Sequence, residues 1–575
     1  MTGESAPPAK RGKLRAFVAD RLGLDELAAI FLGGTVPGGA SLWHALGSVA
    51  ACLVVVEAAT GIVLATAYAP SVTTAWASVA YIQDQMTLGW FVRGLHSFGS
   101  SALIVVAAVH LLQVVLFGAY RRPRELNWMI GLALLGVSLM FALTGYLLPW
   151  DQKGYWAKMV EATITGGAPV LGPALQKLLQ GGSAFGNLTV TRAFAAHAMA
   201  LPALLAALLA LHVWLYRRHG ATSKWTLTPE VAAARAVPFW PEQAALNAGL
   251  GALVVIAVVL IVMASHGAAL ESPADPASSY LARPEWYALP LYQLRMFFDG
   301  PAELIATLII PGIAATLMFA LPFIDRAPGN APSARPRVMA GAALAVVALG
   351  ALSAIALARD ARDPAFAKAR AEEQARASHA RQLALKGVPP EGGTAVFRND
   401  PLQHARVLWD ERCAGCHALT GTGGDKAPDL QGYNSRPWIR GFLQNPDGPL
   451  YMGPAKLEDS MKPVDDVTPA ELDALVEYVY AETGAADADP ARAGIGRDLV
   501  TKKDCDTCHD LDGTGENDGP NLKGRGTSTW VSAVITDAGH GLLFGDRNKM
   551  PKFKTKLGPA DIEDLTKFVL GLARK

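Results

Sequence analysis

Seven stretches of the chain, at about 44–69, 97–120, 128–149, 193–216, 246–266, 303–322 and 338–358, are each apolar over roughly 20 residues. That is the length at which an α-helix crosses the ~30 Å hydrocarbon layer of a bilayer, where a chain must satisfy its backbone hydrogen bonds internally. The pattern predicts an all-α protein with seven transmembrane helices. Composition agrees: 575 residues exceed one compact domain, and 51% hydrophobic against 18% charged is too apolar for a wholly soluble chain. Lys and Arg (51) nearly balance Asp and Glu (50), which gives no basis for a nucleic-acid partner.

An odd number of spans puts the termini on opposite sides. Lys10, Arg11, Lys13 and Arg15, then Arg121, Arg122 and Arg124, then Arg217, Arg218 and Lys224, then Arg326, Arg335 and Arg337 all fall on one side. The positive-inside rule makes that side the cytoplasm of a bacterial inner membrane. The loops 150–192 and 267–302 and everything after about 358 are then expected in the periplasm. The N-terminus lacks the apolar core and small-residue cleavage site of a signal peptide, so export is expected to use the spans themselves. Residues 13–31, with Leu14, Phe17, Val18, Leu22, Leu27, Ile30 and Phe31 among charges, read as an amphipathic surface helix. Residues 359–386, rich in Ala, Arg, Glu and Gln, read as a polar helical spacer. The expected division is 1–43, 44–225, 226–358, a linker at 359–395, and two small helical domains at 396–487 and 488–575.

Four of the five cysteines lie in Cys413-Ala414-Gly415-Cys416-His417 and Cys505-Asp506-Thr507-Cys508-His509. Two thiols on one turn followed by a histidine can join both vinyl groups of a haem and supply an axial nitrogen. A redox or zinc motif has no need of that histidine, so two haems c are expected. Each needs a sixth ligand, and a thioether before the last helix of each half is the candidate: Met461 ahead of 469–482 and Met550 ahead of 559–573. Met452 competes in the first half, while His404 and His540 are unmatched alternatives. Each half resembles a class I cytochrome c domain.

In the second apolar segment His96 and His110 are 14 residues apart, and in the fourth His197 and His212 are 15 apart. Both intervals span about 21–22 Å of helix, and 14 residues is nearly four whole turns, so the members share a face. Two such helices facing each other would clamp two haems, His96 with His197 near the outer surface and His110 with His212 near the inner one. Bis-histidine ligation leaves iron no open position. Gly47 and Gly61 in the first span, and Gly131 and Gly145 in the third, are also 14 apart and are expected to let a flat macrocycle approach.

The run Gly145-Tyr146-Leu147-Leu148-Pro149-Trp150-Asp151-Gln152-Lys153-Gly154-Tyr155-Trp156-Ala157, with Arg122-Pro123-Arg124-Glu125-Leu126 before it, resembles cytochrome b of the cytochrome b6f complex. The 15-residue histidine interval is similar to the b6f type; the bc1 type is one residue shorter there. Pro284-Glu285-Trp286-Tyr287, preceded by Pro273-Ala274-Asp275-Pro276, resembles the three-helix part of the same family, here continuous with the four-helix part. The resemblance covers about 25–358.

That resemblance implies an outer quinol-oxidising site between the loops 150–192 and 267–302. Glu285 would take a proton released on oxidation, and Tyr287, Tyr146, Pro284 and Trp286 would shape the pocket. Arg93 would neutralise a haem propionate or anchor its helix end. The family's thioether-linked extra haem is not expected, since Ala45 stands at the matching place. Cys52 is expected to be a buried small apolar residue, and His44 a membrane-surface histidine. The implied function is the cytochrome b/c subunit of a quinol:cytochrome c (or other acceptor) oxidoreductase with two haems b, two haems c and quinone. Its implied partners are a separate Rieske iron–sulfur protein, an acceptor such as a cytochrome c, and a second copy of the chain. The rivals are a Rieske-independent quinone-to-haem c module and a membrane haem sensor or carrier scaffold.

Overall fold

The structure is a computed structural model describing residue 21 and residues 33–421, 426–457, 461–515 and 518–572. Apart from residue 21, the surface helix expected over 13–31 lies outside this range. The chain divides into two compact units, Met1–Val396 and Phe397–Lys575.

Among the described residues of the first unit seven helices are long and apolar enough to cross a membrane: Leu42–Ala65 (α1), Gly89–Phe117 (α3), Glu125–Gly145 (α4), Asn187–His219 (α7), Phe239–Ser265 (α8), Gly300–Ile324 (α10) and Pro336–Arg362 (α11). Shorter helices at Ala75–Asp84 (α2), Gln152–Gly166 (α5), Gly172–Gln180 (α6) and Leu289–Arg295 (α9) lie in the connecting segments. The only strands among the described residues are Thr35–Val36 and Val237–Pro238, paired antiparallel. The spans begin and end where side chains can take over the free helix-end groups. Asp151 accepts from the Gly154 amide at 2.8 Å to start α5. At the other end of α3, Arg335 donates to the Val115 and Leu116 carbonyls, both at 2.7 Å, and is 2% exposed. Arg124 donates to the His219 carbonyl at 3.0 Å at the end of α7. These arginines therefore cap helices in addition to carrying the charge asymmetry.

Within the bundle α1 packs along α3, and α4 along α7. Across both seams glycines on one helix make room for larger side chains on the other, which lets the helices approach closely where lipid offers no hydrophobic drive to associate. Cys52 does not sit inside the bundle. It is exposed on α1, its Sγ 3.8 Å from where a Cβ on Gly251 of α8 would lie, so the buried position expected for it is corrected. His44 is tied down rather than loose at the surface: its Nε2 lies 3.0 Å from the Thr222 carbonyl.

The segment expected to be a spacer is part of the first unit. Asp363 accepts from the Ala365 and Phe366 amides and starts a helix at Pro364–Ala384 (α12). It packs on α2, burying Ala377, Ala380, Leu383 and Ala384. Arg381 pairs with Asp84, and Glu373 accepts the Ser272 amide at 2.8 Å. An alanine-rich face with scattered charges reads as a spacer in sequence because a stripe of Ala and Leu that packs closely on another helix has little apolar contrast.

The second unit holds α13 (Pro401–Arg412), α14 (Arg436–Gln444), α15 (Pro469–Glu482), α16 (Pro490–Lys502), α17 (Ser528–Asp537) and α18 (Pro559–Gly571). Its two halves share their packing. The first helix, α13, packs on the last, α18, and α15 packs on α16. Gly496 permits the second crossing, since a Cβ there would lie 2.0 Å from the Ala474 carbonyl oxygen. One apolar cluster containing Trp409, Tyr478, Val500 and Leu565 runs through both halves.

Candidate haem and quinol sites

Each of the four glycines chosen for its spacing faces one of the four histidines. A Cβ on Gly61 would lie 3.2 Å from His96 Cε1, and on Gly145 2.8 Å from His197 Cε1. On Gly47 it would lie 3.4 Å from His110 Cε1, and on Gly131 3.3 Å from His212 Cε1. The room each glycine leaves is thus taken by the imidazole of the helix packed beside it. α1 supports the histidines of α3, and α4 those of α7.

A 15-residue interval on a regular α-helix would turn His212 about 60° away from His197. The helix corrects this with one π-helical turn at Ala196–Ala200, which contains His197 and absorbs one residue. Pro202, which has no amide hydrogen to donate, follows directly in Leu201–His219. The two histidines of α7 thereby share a face as those of α3 do.

The outer rings are oriented by hydroxyls placed one residue before the glycines. Thr60 Oγ1 donates to the Val56 carbonyl at 2.7 Å and lies 3.0 Å from His96 Nδ1. Thr144 Oγ1 donates to the Met140 carbonyl at 2.8 Å and lies 3.0 Å from His197 Nδ1. With their own protons committed, both hydroxyls accept from Nδ1–H, which leaves Nε2 as a free donor atom. The two ring centres are 6.1 Å apart. Two imidazoles sharing one metal at about 2 Å from each nitrogen, with the ring centre about 1.1 Å behind it, would stand about 6 Å apart. The residues fit an iron held between His96 and His197. Arg93 anchors this end of α3: it donates to Gln83 Oε1 and the Ala268 carbonyl, both at 2.7 Å, and to the Ala269 carbonyl at 2.6 Å.

At the same end of the bundle the two sequence motifs that resemble cytochrome b are joined strand-fashion. The Gln152 amide donates to the Ser272 carbonyl at 2.9 Å, and the Ala274 amide to the Trp150 carbonyl at 3.1 Å. This brings α5 to the turn at Trp286–Ala288 that directly follows Glu285. Lys153 Nζ lies 2.5 Å from Glu285 Oε1. Burial pushes the phenols of Tyr146 and Tyr287 above their ordinary range, and the Glu285 and Glu161 carboxylates add to it. Trp286 Nε1 reaches Ser101 Oγ on α3 at 3.4 Å, and Pro284 is half-buried beside it. Glu285, Tyr146 and Tyr287 are therefore brought together, and Lys153 is a member that sequence reading quoted in a motif without assigning it a role.

In the second unit the two cysteine motifs repeat one arrangement. His417 Nδ1 lies 2.8 Å from the Pro428 carbonyl and His509 Nδ1 2.7 Å from the Pro520 carbonyl, 11 residues on in both halves. Each ring donates through Nδ1–H, which leaves Nε2 as the nitrogen available to an axial ligand's role. A Cβ on Gly519 would lie 2.6 Å from His509 Cε1, so this position leaves the ring its space. Cys413, Cys505, Met461 and Met550 all line the shared apolar cluster, half-buried. His404 is occupied elsewhere, its Nε2 2.8 Å from Asp561 Oδ1. The paired prolines were a signal available in the sequence: each stands 11 residues after its histidine.

Comparison with known families gives the same division. Residues 32–220 match the family described as cytochrome b/b6, and residues 273–369 the cytochrome b C-terminal/b6 family. Residues 403–481 match cytochrome c, and 491–569 match subunit III of cbb3-type cytochrome c oxidase. Cytochrome b6 of Mastigocladus laminosus is 36% identical over 201 residues, which are 35% of this chain and 94% of that protein. Cytochrome b6 of Synechococcus elongatus is 33% identical over 208 residues, 36% of this chain and 97% of that protein. A solved structure titled "Hyperthermophilic respiratory Complex III" shares the fold, with a TM-score of 0.52 at 22% identity, covering 64% of this chain and 97% of that one. This multi-pass membrane chain belongs to the cytochrome b/b6 family, with both parts of cytochrome b and two cytochrome c regions in one polypeptide, and is a haem b- and haem c-containing electron-transfer subunit of the b6f/bc type.

Proposed function

We propose that the chain is the cytochrome b/c subunit of a quinol:cytochrome c (or other acceptor) oxidoreductase that oxidises quinol at the end of the bundle bearing Glu285. The observation that carries this reading is the Lys153–Glu285 pair, 2.5 Å apart and flanked by Tyr146 and Tyr287, at the same end of the bundle as His96 and His197. Quinol oxidation needs a base for the hydroxyl proton and a route for that proton to water. Glu285, with side-chain exposure of 31% and a cation beside it, is a carboxylate at the boundary between apolar protein and solvent. Exchanging Lys153 for a quinol hydroxyl would let it take the proton, and rotation back toward Lys153 would release it. Tyr146 and Tyr287, protonated through burial, can each donate a hydrogen bond to a quinone oxygen.

The haems supply one-electron carriers held away from water. His96 with His197 and His110 with His212 are the ligands assigned to two haems b. His417 with Met461 and His509 with Met550, and the thioethers of Cys413, Cys416, Cys505 and Cys508, are assigned to two haems c. Held by these residues, the haems would let one electron from quinol pass to a separate Rieske iron–sulfur protein and the haem c chain, and the other across the membrane through the haem b pair to a second quinone. This splitting contributes to proton translocation, with the basic end of the bundle in the cytoplasm and the cytochrome c regions in the periplasm of a bacterial inner membrane. A homodimeric, multisubunit assembly is part of the same proposal.

Stopped-flow reduction of the purified complex by quinol tests it. Both haem classes should become reduced together, and an inhibitor of the inner quinone site should leave haem b accumulating in the reduced form. Reduction of haem c while haem b stays oxidised would favour the Rieske-independent module and overturn the splitting.

A further inference from the structure

Of the side chains around the four intramembrane histidines, one is a carboxylate. Glu57 stands on α1 one turn before Gly61, and its Oε2 lies 3.1 Å from His96 Nδ1. Its other oxygen, Oε1, is buried without a hydrogen-bond partner among the described residues. The opposing helix makes room for it: a Cβ on Gly99 of α3 would lie 2.3 Å from Oε1. Isolated carboxylates inside a bilayer are costly and call for a specific role. At the outer partner ring, His197, it is the Thr144 hydroxyl that lies 3.0 Å from Nδ1.

We infer that Glu57 is a positioning residue that accepts a hydrogen bond from His96 Nδ1–H and thereby sets the potential of the outer haem b. The direction of the bond follows from the neighbours. A neutral imidazole that binds iron through Nε2 carries its one proton on Nδ1. The Thr60 hydroxyl gives its own proton to the Val56 carbonyl at 2.7 Å and is an acceptor toward the ring. Thr60 Oγ1 is the hydrogen-bonded neighbour of Nδ1, and Glu57 Oε2, 3.1 Å from the same nitrogen, is the second acceptor within its reach. An acceptor on the distal ring nitrogen raises the basicity of the ligating one, which stabilises the oxidised iron and lowers the potential. Glu57 makes the two outer ligands unequal, and neither His110 nor His212 has a hydrogen-bond partner at Nδ1 among the described residues.

The inference rests on His96 being a haem b ligand, and the experiment separates the two. The full-length protein is purified with its haems, and redox titration of the haem b band and electron paramagnetic resonance of the ferric low-spin signals are recorded for wild type, T144V, E57Q and E57L. Beyond its own helix T144V alters the contact to the His197 ring and so identifies the outer haem signal. E57Q, which keeps the shape of the side chain but is a weaker acceptor, should raise the potential of that haem and shift its signal while the other haem b stays unchanged. E57L should do so by more. An unmoved outer signal in E57Q, or a shift in the other haem alone, overturns the role of Glu57 whether or not E57L assembles. If H96A instead retains both low-spin haem b signals, it is the ligand assignment that fails.

Discussion

Lys153 and Glu285, 132 positions apart in sequence, meet through Nζ and Oε1 at 2.5 Å because the Trp150–Gln152 backbone is hydrogen-bonded to Ser272 and Ala274. Neither cytochrome b motif makes this pair alone; docking of one on the other does. The pair is about one-third exposed on both sides, so its value lies in chemistry more than stability.

Lys153→Gln should accordingly cost less than about 1 kcal/mol of stability. Glu285→Gln, which removes the base and keeps the shape, should slow quinol-driven haem reduction by about 100-fold or more with haem spectra unchanged. Thermal shift and stopped-flow absorbance check the two halves. Wild-type rates in E285Q would remove the carboxylate from the reaction.

Gly145 and Gly136 lie on the same helix but in different surroundings. A Cβ at Gly145 would sit 2.8 Å from the His197 ring, while at Gly136 it would meet nothing within 4 Å. Gly145→Ala should therefore displace the imidazole, at an overpacking cost of about 1–3 kcal/mol, and diminish one haem b. Gly136→Ala should be neutral or stabilising by up to about 1 kcal/mol. The ratio of haem b to haem c in pyridine haemochrome spectra reads the difference, and equal ratios in both variants would count against the packing argument.

The π-turn at Ala196–Ala200 predicts opposite outcomes for two one-residue changes. Deleting Ala198 should let α7 become regular with His197 and His212 still on one face, and both haems b should remain. Inserting one Ala after Ser100 in α3, where the 14-residue interval is already regular, should swing His96 by about 100° and lose the outer haem. If the deletion loses a haem and the insertion does not, the bulge does not play this part.

Met461 and Met550 are each expected to complete a six-coordinate haem c. Met461→Ala and Met550→Ala should each turn one of the two haems c high-spin in the ferric visible spectrum. A spectrum unchanged in either variant would transfer the role to another residue, Met452 being the alternative in the first half.

Glu271, in the loop after α8, is held with its pKa raised to about 7, chiefly by burial and then by the nearby Asp151 charge. Tyr280 donates to its Oε2 at 2.6 Å. Because the folded value lies above the ordinary 4.5, folding favours the protonated form. No penalty exists below about pH 4.5; it grows as pH rises toward 7 and is constant above. Glu271→Gln should therefore raise the melting temperature at pH 8 by more than at pH 4.5. A difference independent of pH would show that Glu271 does not titrate in this interval.

How much of this was legible beforehand depended on the range of the interactions. Seven spans, two haem-attachment motifs, four histidines and four glycines could all be read because each is a local pattern: an apolar length, a one-turn motif, or a spacing on one helix face. The helix within 359–386 could be read, but not its packing, because its alanine face acquires meaning only against α2.

The sequence by itself determined that this chain is a membrane-spanning cytochrome b joined to two cytochrome c regions, since hydrocarbon thickness and haem ligation impose periods that a linear string displays. Only the tertiary structure decided which glycine serves which histidine, and how a 15-residue interval behaves like 14. It also decided that Lys153 meets Glu285, that Glu57 reaches His96, and that α13 packs on α18 across the two halves of the second unit. These depend on which surfaces bury each other, and burial is a property of the packed chain, not of any segment of it.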